Sequence, residues 1–186
     1  MVQIDIITCP QWGARQPKSP IQTVGESARI IIHHTASHHR EISGPGNESR
    51  DEAMRYARDI QNFHMDKNGW IDSGHNFLVC RNGMILQGRW LTVSAIEAGH
   101  MVDSAHCPGQ NQQVGIEHEH LGSEPMTDAQ RTSSASLIAW ISAQYGQKAP
   151  LPLAPHKEFF ATACPANLVA DLPDLAAMAA NMLGAV

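Results

Sequence analysis

The most informative hydrophobic pattern in the chain is a short β-branched run that ends in two histidines. The segment ARIIIHHTA is brief, apolar and rich in isoleucine, which predicts a buried β-strand. Successive side chains of a strand point to opposite faces, so His33 and His34 cannot both face one site. The segment QVGIEHEHLG predicts a second strand, with Glu117 on one face and His118 on the other. Between the two strands, the polar stretch SGPGN predicts a loop.

Two segments carry the signature of a helix N-terminus. The tetrapeptides that begin at Ser49 and Thr127 each place Glu or Gln three residues after a hydroxyl side chain, which is a capping box. We expect the first helix to run to about His64 and the second to about Tyr145. A positively charged His64 would suit the helix C-terminus. The apolar face expected for the first helix comprises Ala53, Tyr56, Ala57, Ile60 and Phe63.

A β-hairpin is predicted in the middle of the chain. The segment GHNFLVCRNGMILQGRW contains two apolar runs joined at Asn82-Gly83, the strongest short signal for a hairpin turn. The stretch GHMVDSAHCPGQN, which is rich in Gly and His, predicts a loop. A last helix is expected after Pro165, with an interruption near Pro173.

These elements together predict one α/β domain over residues 1–186. Their order is strand, helix, hairpin, strand, helix and terminal helix, which suggests a central mixed β-sheet flanked by helices. The first segment, residues 1–27, is rich in Pro and Gly and is expected to be an irregular arm. Residues 28–186 are then the core of the domain.

Composition narrows the classes of function. Of 186 residues, 42% are hydrophobic and 17% are charged, which is typical of an ordinary globular domain. The formal net charge of −5 and the lack of a Lys/Arg run argue against a nucleic-acid partner. No apolar run reaches the roughly 20 residues that a membrane span needs, so we expect no membrane insertion. The N-terminus lacks a basic segment followed by an apolar one, so no secretory signal is expected.

The cysteine content does not indicate a disulfide scaffold. Four cysteines in a chain of this length are too few for that class. If Cys164 binds a metal, three remain, and an odd number favours mostly free thiols. One disulfide among Cys9, Cys80 and Cys107 stays open as an alternative.

The run PHKEFFATACP suggests a metal site. His156 and Cys164 stand eight positions apart, and the buried strand supplies His33. Two imidazoles and a thiolate can hold zinc and leave one coordination position open, an arrangement used for hydrolysis. Spacing alone favours a second interpretation: a strand histidine, a surface histidine and a cysteine that packs as a small apolar residue.

The surrounding motifs resemble those of the type-2 N-acetylmuramoyl-L-alanine amidases, a family that includes phage endolysins and peptidoglycan recognition proteins. QWGAR, IIIHHTA, IQNFHMDKNGWIDSGHNFLVCRNGMILQGRW, NQQVGIEHEH and HKEFFATACP follow the family's order over residues 12–165. The strings AHCPGQN and VGIEHE are most similar to endolysins of phages that infect actinobacteria. The resemblance implies an amidase-like or peptidoglycan-recognition-protein-like fold.

The resemblance also implies roles for individual residues. His33, His156 and Cys164 match the family's zinc ligands, and Glu117 matches a glutamate that activates the zinc-bound water in some members. Without the resemblance, Glu117 beside Glu119 fits a solvated strand face. Non-enzymatic recognition proteins of the family commonly lack the cysteine ligand, so its presence favours catalysis.

Two positions depart from the family pattern. His75 stands where some members have a catalytic tyrosine, and Thr162 stands where several have a lysine. Both would donate a hydrogen bond to the oxyanion, although threonine brings no charge. His106 and Asn111 resemble a histidine–asparagine loop that lines the family's substrate groove.

The resemblance therefore predicts hydrolysis, with one Zn²⁺, of the amide bond between N-acetylmuramic acid and L-alanine in peptidoglycan. Two alternatives are a module that binds muropeptides without cutting them and a cytosolic enzyme that recycles muropeptides. A zinc peptidase lacks support, because the chain contains no H-E-x-x-H motif. We expect a monomer made in the cytoplasm that reaches the bacterial cell wall after release, through a holin if the source is a phage.

Overall fold

The computed structural model describes residues 2–38 and 49–184, so the loop predicted at SGPGN lies outside the described residues. The strands are β1 (Ile6–Ile7), β2 (Thr23–Val24), β3 (Ile30–His34), β4 (Phe77–Val79), β5 (Ile85–Gln87), β6 (Met101–Val102), β7 (Val114–His118) and β8 (Leu153–Pro155). The α-helices are α1 (Cys9–Trp12), α2 (Arg50–Asp66), α3 (Thr92–Glu97), α4 (Asp128–Gln144) and α5 (Leu172–Gly184). Short 3₁₀ helices cover His156–Glu158 and Ala166–Asp171.

The central sheet is mixed, and its strands lie in the order β1-β5-β4-β7-β3-β8. Strand β3 runs parallel to β7 on one side and to β8 on the other. Strand β4 is parallel to β7 and antiparallel to β5, which forms the expected hairpin. Strands β2 and β6 form a separate antiparallel pair. The prediction of one α/β domain with a central mixed sheet flanked by helices is confirmed.

Alternation along the strands divides the core between the two faces of the sheet. On β4, Phe77 and Val79 join a large apolar cluster with residues of α4 and α5, whereas Leu78 joins a smaller cluster beneath α1 and α2. Strand β7 alternates in the same way, because Ile116 belongs to the large cluster and Glu117 points to the opposite face. His33, which pairs with Glu117, therefore shares with it the face towards α2, whereas His118 lies on the opposite face, where its ring contacts Ser134 of α4.

The N-terminal segment is more ordered than expected. Strand β1 pairs in parallel with β5 at the edge of the sheet, so the description of residues 1–27 as an irregular arm is wrong in part. Trp12 is 1% exposed and its indole N–H donates to the carbonyl of Gln87 at 2.7 Å. A two-residue strand has no detectable period, which is why the sequence pattern did not reveal it.

Helix α2 begins with the predicted capping box, since Ser49 and Glu52 exchange both hydrogen bonds. Its predicted apolar face is wrong at one end, because Phe63 is 58% exposed. Gln61 is buried instead, and its amide donates to the carbonyl of Arg15 and to Asp72. Phe63 lies two residues after Gln61, on the opposite side of the helix, and so faces outward.

The second half of the chain follows the prediction with small differences. Thr127 caps α4 by accepting from the N–H of Gln130, but the side chain of Gln130 bonds elsewhere, so the capping box is incomplete. The helical segment after Pro165 changes from the 3₁₀ helix Ala166–Asp171 to α5 at Leu172, so the break expected near Pro173 is present, and Pro173 itself lies in the first turn of α5, which needs no proline N–H. The predicted Gly- and His-rich loop contains β6.

Among the described residues, no helix combines the length and the apolar character needed to cross a membrane.

Candidate metal centre

The fold brings His33, His156 and Cys164 together at the carboxyl end of β3. Pro155, the last residue of β8, pairs with Ile32, so His156 follows at the level of His33. One donor atom of each of the three side chains lies within 4.8 Å of the other two. Nδ1 of His33 is 3.8 Å from Sγ of Cys164. Residues more than 120 positions apart are thus placed around one point.

The loop that carries the second and third of these residues is held by backbone hydrogen bonds. The N–H of Lys157 donates to the carbonyl of Cys164 at 2.9 Å, which closes the loop. The N–H of His34 donates to Sγ of Cys164 at 3.4 Å and so ties the sulfur to β3. The hydroxyl oxygen of Thr162 accepts from the N–H of Cys164 at 3.2 Å. Thr162 is therefore next to the cluster and can still donate its own proton.

The donor set fits a zinc ion. In a tetrahedral site, bonds to nitrogen and sulfur would place the two ligand atoms about 3.6 Å apart, close to the separation between His33 and Cys164. Nε2 of His156 is buried and has no hydrogen-bond partner among the described residues. Burial lowers the pKa of His33 and of His156, which keeps both rings neutral and able to offer a lone pair. Burial raises the pKa of Cys164 to about 12, so a thiolate here needs a bound cation.

Glu117 lies beside the cluster on the neighbouring strand. It pairs with His33 in the register of β3 and β7, and it is 7% exposed, so the solvated-face interpretation is wrong. Oε2 of Glu117 is 2.8 Å from Nδ1 of His75. Burial alone would raise the pKa of Glu117, but the charge and the contact of His75 outweigh it, and the pKa is lowered. Glu117 is therefore an ionised carboxylate at neutral pH.

His64 completes a second group of buried donors with His75 and Glu117, all within 4.8 Å of one another. The N–H of Gly74 donates to Nδ1 of His64 at 3.1 Å, so a neutral His64 carries its proton on Nε2. It has no lone pair left for a metal. The expected positive charge on His64 is also wrong, because burial lowers its pKa to about 4. The capping box at the start of α2 does not indicate that the ring of His64 is buried.

His106 and Asn111, predicted to contact substrate, form hydrogen bonds within the protein. The ring of His106 is 5% exposed, with Nδ1 2.9 Å from Nε2 of His33 and Nε2 2.9 Å from the carbonyl oxygen of Gln113. Oδ1 of Asn111 accepts from the N–H of Cys107 at 2.9 Å and so shapes the loop. The structure thus places His106 against a proposed metal ligand.

All four cysteines are free thiols.

A groove of about 660 Å³ opens between α2 and the end of β3. Tyr56, Ile60 and Phe63 of α2 line one side, and Thr35 lies at the end of β3 on the other. Glu117 also lines the groove, so a ligand in it reaches the buried carboxylate. Phe63 is exposed, which is unfavourable for a large apolar side chain, and it provides an apolar surface in this groove.

We expect acid to destabilise the fold because it contains several buried neutral histidines. Burial lowers the pKa of His64 and His118 to about 4 and that of His106 to about 3, from an ordinary value of 6.5. Between the folded-state pKa and 6.5, the unfolded chain binds more protons than the folded chain does. The free energy of unfolding is therefore greatest above pH 6.5 and falls as the pH drops. The loss by pH 5 should be roughly 1–2 kcal/mol for each group. Urea unfolding at pH 7.5 and pH 5 measures it, and equal midpoints and slopes would contradict the expectation.

Comparison with known proteins agrees with the motif order. The family model Amidase_2, described as N-acetylmuramoyl-L-alanine amidase, matches residues 24–167. Peptidoglycan-recognition protein SC2 of Drosophila melanogaster is 26% identical over 164 residues, which cover 87% of this chain and 80% of that protein. A mutant of Drosophila PGRP-LB in complex with tracheal cytotoxin is 29% identical, with a TM-score of 0.70, and the match covers 87% of this chain and 88% of that one.

A bacterial enzyme shares the fold. The N-acetylmuramoyl-L-alanine amidase LysC from Clostridium intestinale has a TM-score of 0.65 over 89% of this chain and 91% of that chain; at 22% identity it shows the fold alone. The narrower likeness to endolysins of actinobacterial phages stays a prediction. The match of the family model over most of the chain is the finding that decides membership. The chain belongs to the N-acetylmuramoyl-L-alanine amidase family.

Proposed function

We propose that this protein is a zinc-dependent amidase that cuts the bond between the lactyl group of N-acetylmuramic acid and L-alanine in peptidoglycan. The observation that carries the proposal is the cluster of His33, His156 and Cys164 beside a buried, ionised Glu117 at the edge of a groove. Membership of the amidase family supports this choice of bond. Three protein ligands would leave one coordination position of a zinc ion open, as in catalytic zinc sites.

Zinc held by His33, His156 and Cys164 would polarise the scissile carbonyl and make a nearby water molecule more acidic. Glu117 would accept a proton from that water as its oxygen forms a bond to the carbonyl carbon. The same carboxylic acid would then protonate the amine of L-alanine as the carbon–nitrogen bond breaks. The water supplies one proton to the amine and its oxygen to the lactyl carboxylate, so the reaction balances.

His75 and Thr162 would stabilise the negative charge that develops on the carbonyl oxygen. His75 lies against His33, with ring centroids 4.6 Å apart, and the hydroxyl of Thr162 is adjacent to Cys164. Donors fixed before the reaction lower its barrier because they need no reorganisation. Thr162 is neutral, so we expect it to contribute less than His75.

A muropeptide-binding module without catalysis is the second candidate. It is favoured by the similarity to peptidoglycan-recognition proteins and to a PGRP-LB mutant in complex with tracheal cytotoxin. Both candidates use the groove along α2. They differ in that a binding module creates no new amino termini and does not depend on metal.

Labelling of new amino termini separates the two candidates. Purified sacculi and soluble muropeptides are incubated with the zinc-loaded protein, and free α-amino groups are labelled and identified. We expect N-terminal alanine to accumulate, while binding without new termini would leave only the recognition function. Faster release from sacculi would support action on the cell wall after release from the cytoplasm, and faster release from muropeptides would support recycling.

A further inference from the structure

A chain of two hydrogen bonds leads from a backbone carbonyl through His106 to His33. The carbonyl oxygen of Gln113 is 2.9 Å from Nε2 of His106, and Nδ1 of His106 is 2.9 Å from Nε2 of His33. Both rings are buried, with 5% of His106 and 1% of His33 exposed. His106 thus touches a proposed zinc ligand at Nε2, whereas Nδ1 of the same ring lies 3.8 Å from Sγ of Cys164.

The direction of these bonds follows from the chemistry of the carbonyl group. A carbonyl oxygen only accepts, so Nε2 of His106 must carry a proton. A buried ring with no carboxylate on either nitrogen is neutral and carries only that proton. Nδ1 of His106 is therefore an acceptor, and Nε2 of His33 must donate to it. A neutral His33 then has its lone pair on Nδ1, the atom that lies 3.8 Å from Sγ of Cys164.

We propose that His106 is a positioning residue that fixes the tautomer and the ring orientation of His33, so that Nδ1 of His33 is offered to the metal before it binds. The inference rests on the zinc site of the proposed function but not on the bond that is cut. Partners of this kind on the second nitrogen of a metal-binding histidine orient the ring and raise its basicity. They typically change metal affinity by about 10–100-fold.

The backbone around His106 keeps the ring in this position. A Cβ atom at Gly115 would lie 2.6 Å from Cγ and Cδ2 of His106, so the ring packs flat on β7 where only glycine leaves room. Gly115 itself is fixed by Asn76, which accepts from its N–H at 2.8 Å and donates its own N–H to the carbonyl of Gly115 at 3.0 Å. Both nitrogens of His106 are used inside the protein, which leaves none for a substrate.

The proton positions can be measured directly on the wild-type protein. Long-range ¹H–¹⁵N correlation spectra distinguish protonated from unprotonated imidazole nitrogens. In the metal-free and in the zinc-loaded protein, we expect protons on Nε2 of His106 and Nε2 of His33. A proton on Nδ1 of either ring in the metal-free protein would overturn the inference. This measurement needs no variant and so does not depend on the folding of one.

Zinc affinity of matched variants tests the consequence. His106→Phe keeps the ring volume and removes both nitrogens, and we expect the dissociation constant for zinc to rise about 10–100-fold while the melting temperature shows a folded protein. His106→Asn, which keeps an acceptor near the position of Nδ1, should lose less. His64→Phe replaces a buried imidazole that accepts from the N–H of Gly74 and should change the constant less than about threefold.

Each result bears on the inference or on the proposed function separately. An unchanged zinc dissociation constant in folded His106→Phe would overturn the positioning role. If the wild-type protein binds zinc with the expected proton positions but releases no N-terminal alanine, the amidase proposal fails and the role of His106 stands. A wild-type protein that binds no zinc would overturn both.

Discussion

Replacing Cys164 with serine should remove zinc binding and amidase activity together. Serine is nearly isosteric, but its hydroxyl does not ionise near neutral pH and is a poor zinc ligand compared with a thiolate. Structural zinc sites with four ligands bind zinc with about 10–16 kcal/mol, which is roughly 3 kcal/mol per ligand, and by that measure the dissociation constant should rise at least about 100-fold. Metal content after dialysis and release of N-terminal alanine would be measured on the same samples. We expect both to fall to background.

A second buried cysteine provides the control for this substitution. Cys9 is fully buried at the start of α1, where its Sγ contacts the carbonyl oxygens of Gln87 and Gly88 at 3.6 and 3.5 Å. Cys9→Ser can keep these hydrogen bonds, and it should retain one zinc per chain and full turnover. If Cys164→Ser kept zinc and turnover as well, Cys164 would not be a ligand.

Glu117→Gln should separate zinc binding from turnover. Glutamine keeps the size of the side chain and lacks the charge that accepts a proton, so turnover should fall by roughly 10²–10⁴-fold, the usual contribution of general acid–base catalysis. Zinc stoichiometry and the Michaelis constant should change little, because Glu117 does not belong to the group of His33, His156 and Cys164. Steady-state kinetics on a soluble muropeptide, with metal analysis of the same protein, measures both quantities.

The control is a glutamate two residues further along the chain. Glu119 is fully buried, its Oε2 accepts from the N–H of Arg81 at 3.1 Å, and it belongs to neither group of candidate metal donors. We therefore expect the main effect of Glu119→Gln to be a lower free energy of unfolding, with a smaller effect on turnover. Turnover that is unaffected in Glu117→Gln would remove that carboxylate from the mechanism.

The sequence predicted the parts of the fold that have a period or a local signature. Strand β3, the hairpin at Gly83 and the start of α2 each follow from such signals, and they position most of the site. Strands β1 and β8 contain two and three residues, too few to show alternation, yet β8 is the element that places His156 beside His33. The resemblance named His156, but only the strand pairing explains its position.

The predicted environment of the site differs most where polar side chains contact each other across loops. His64 and His106 are buried neutral rings that bond to backbone groups of Gly74 and Gln113, and His106 also bonds to the ring of His33. Such bonds depend on the path of two loops and leave no pattern in the chain. The predicted exposure of Glu117 was wrong for a related reason. Alternation identifies the face of the strand on which a side chain lies, but not what packs against that face.

The most direct test of the account is mass spectrometry of purified peptidoglycan digested by the wild-type protein, by the same protein after chelation, and after one equivalent of zinc is returned. We predict products that separate intact glycan chains carrying free lactyl carboxylates from stem peptides beginning with L-alanine. These products should disappear on chelation and return with zinc. Cleavage at another bond, or the same products from the chelated protein, would contradict the account.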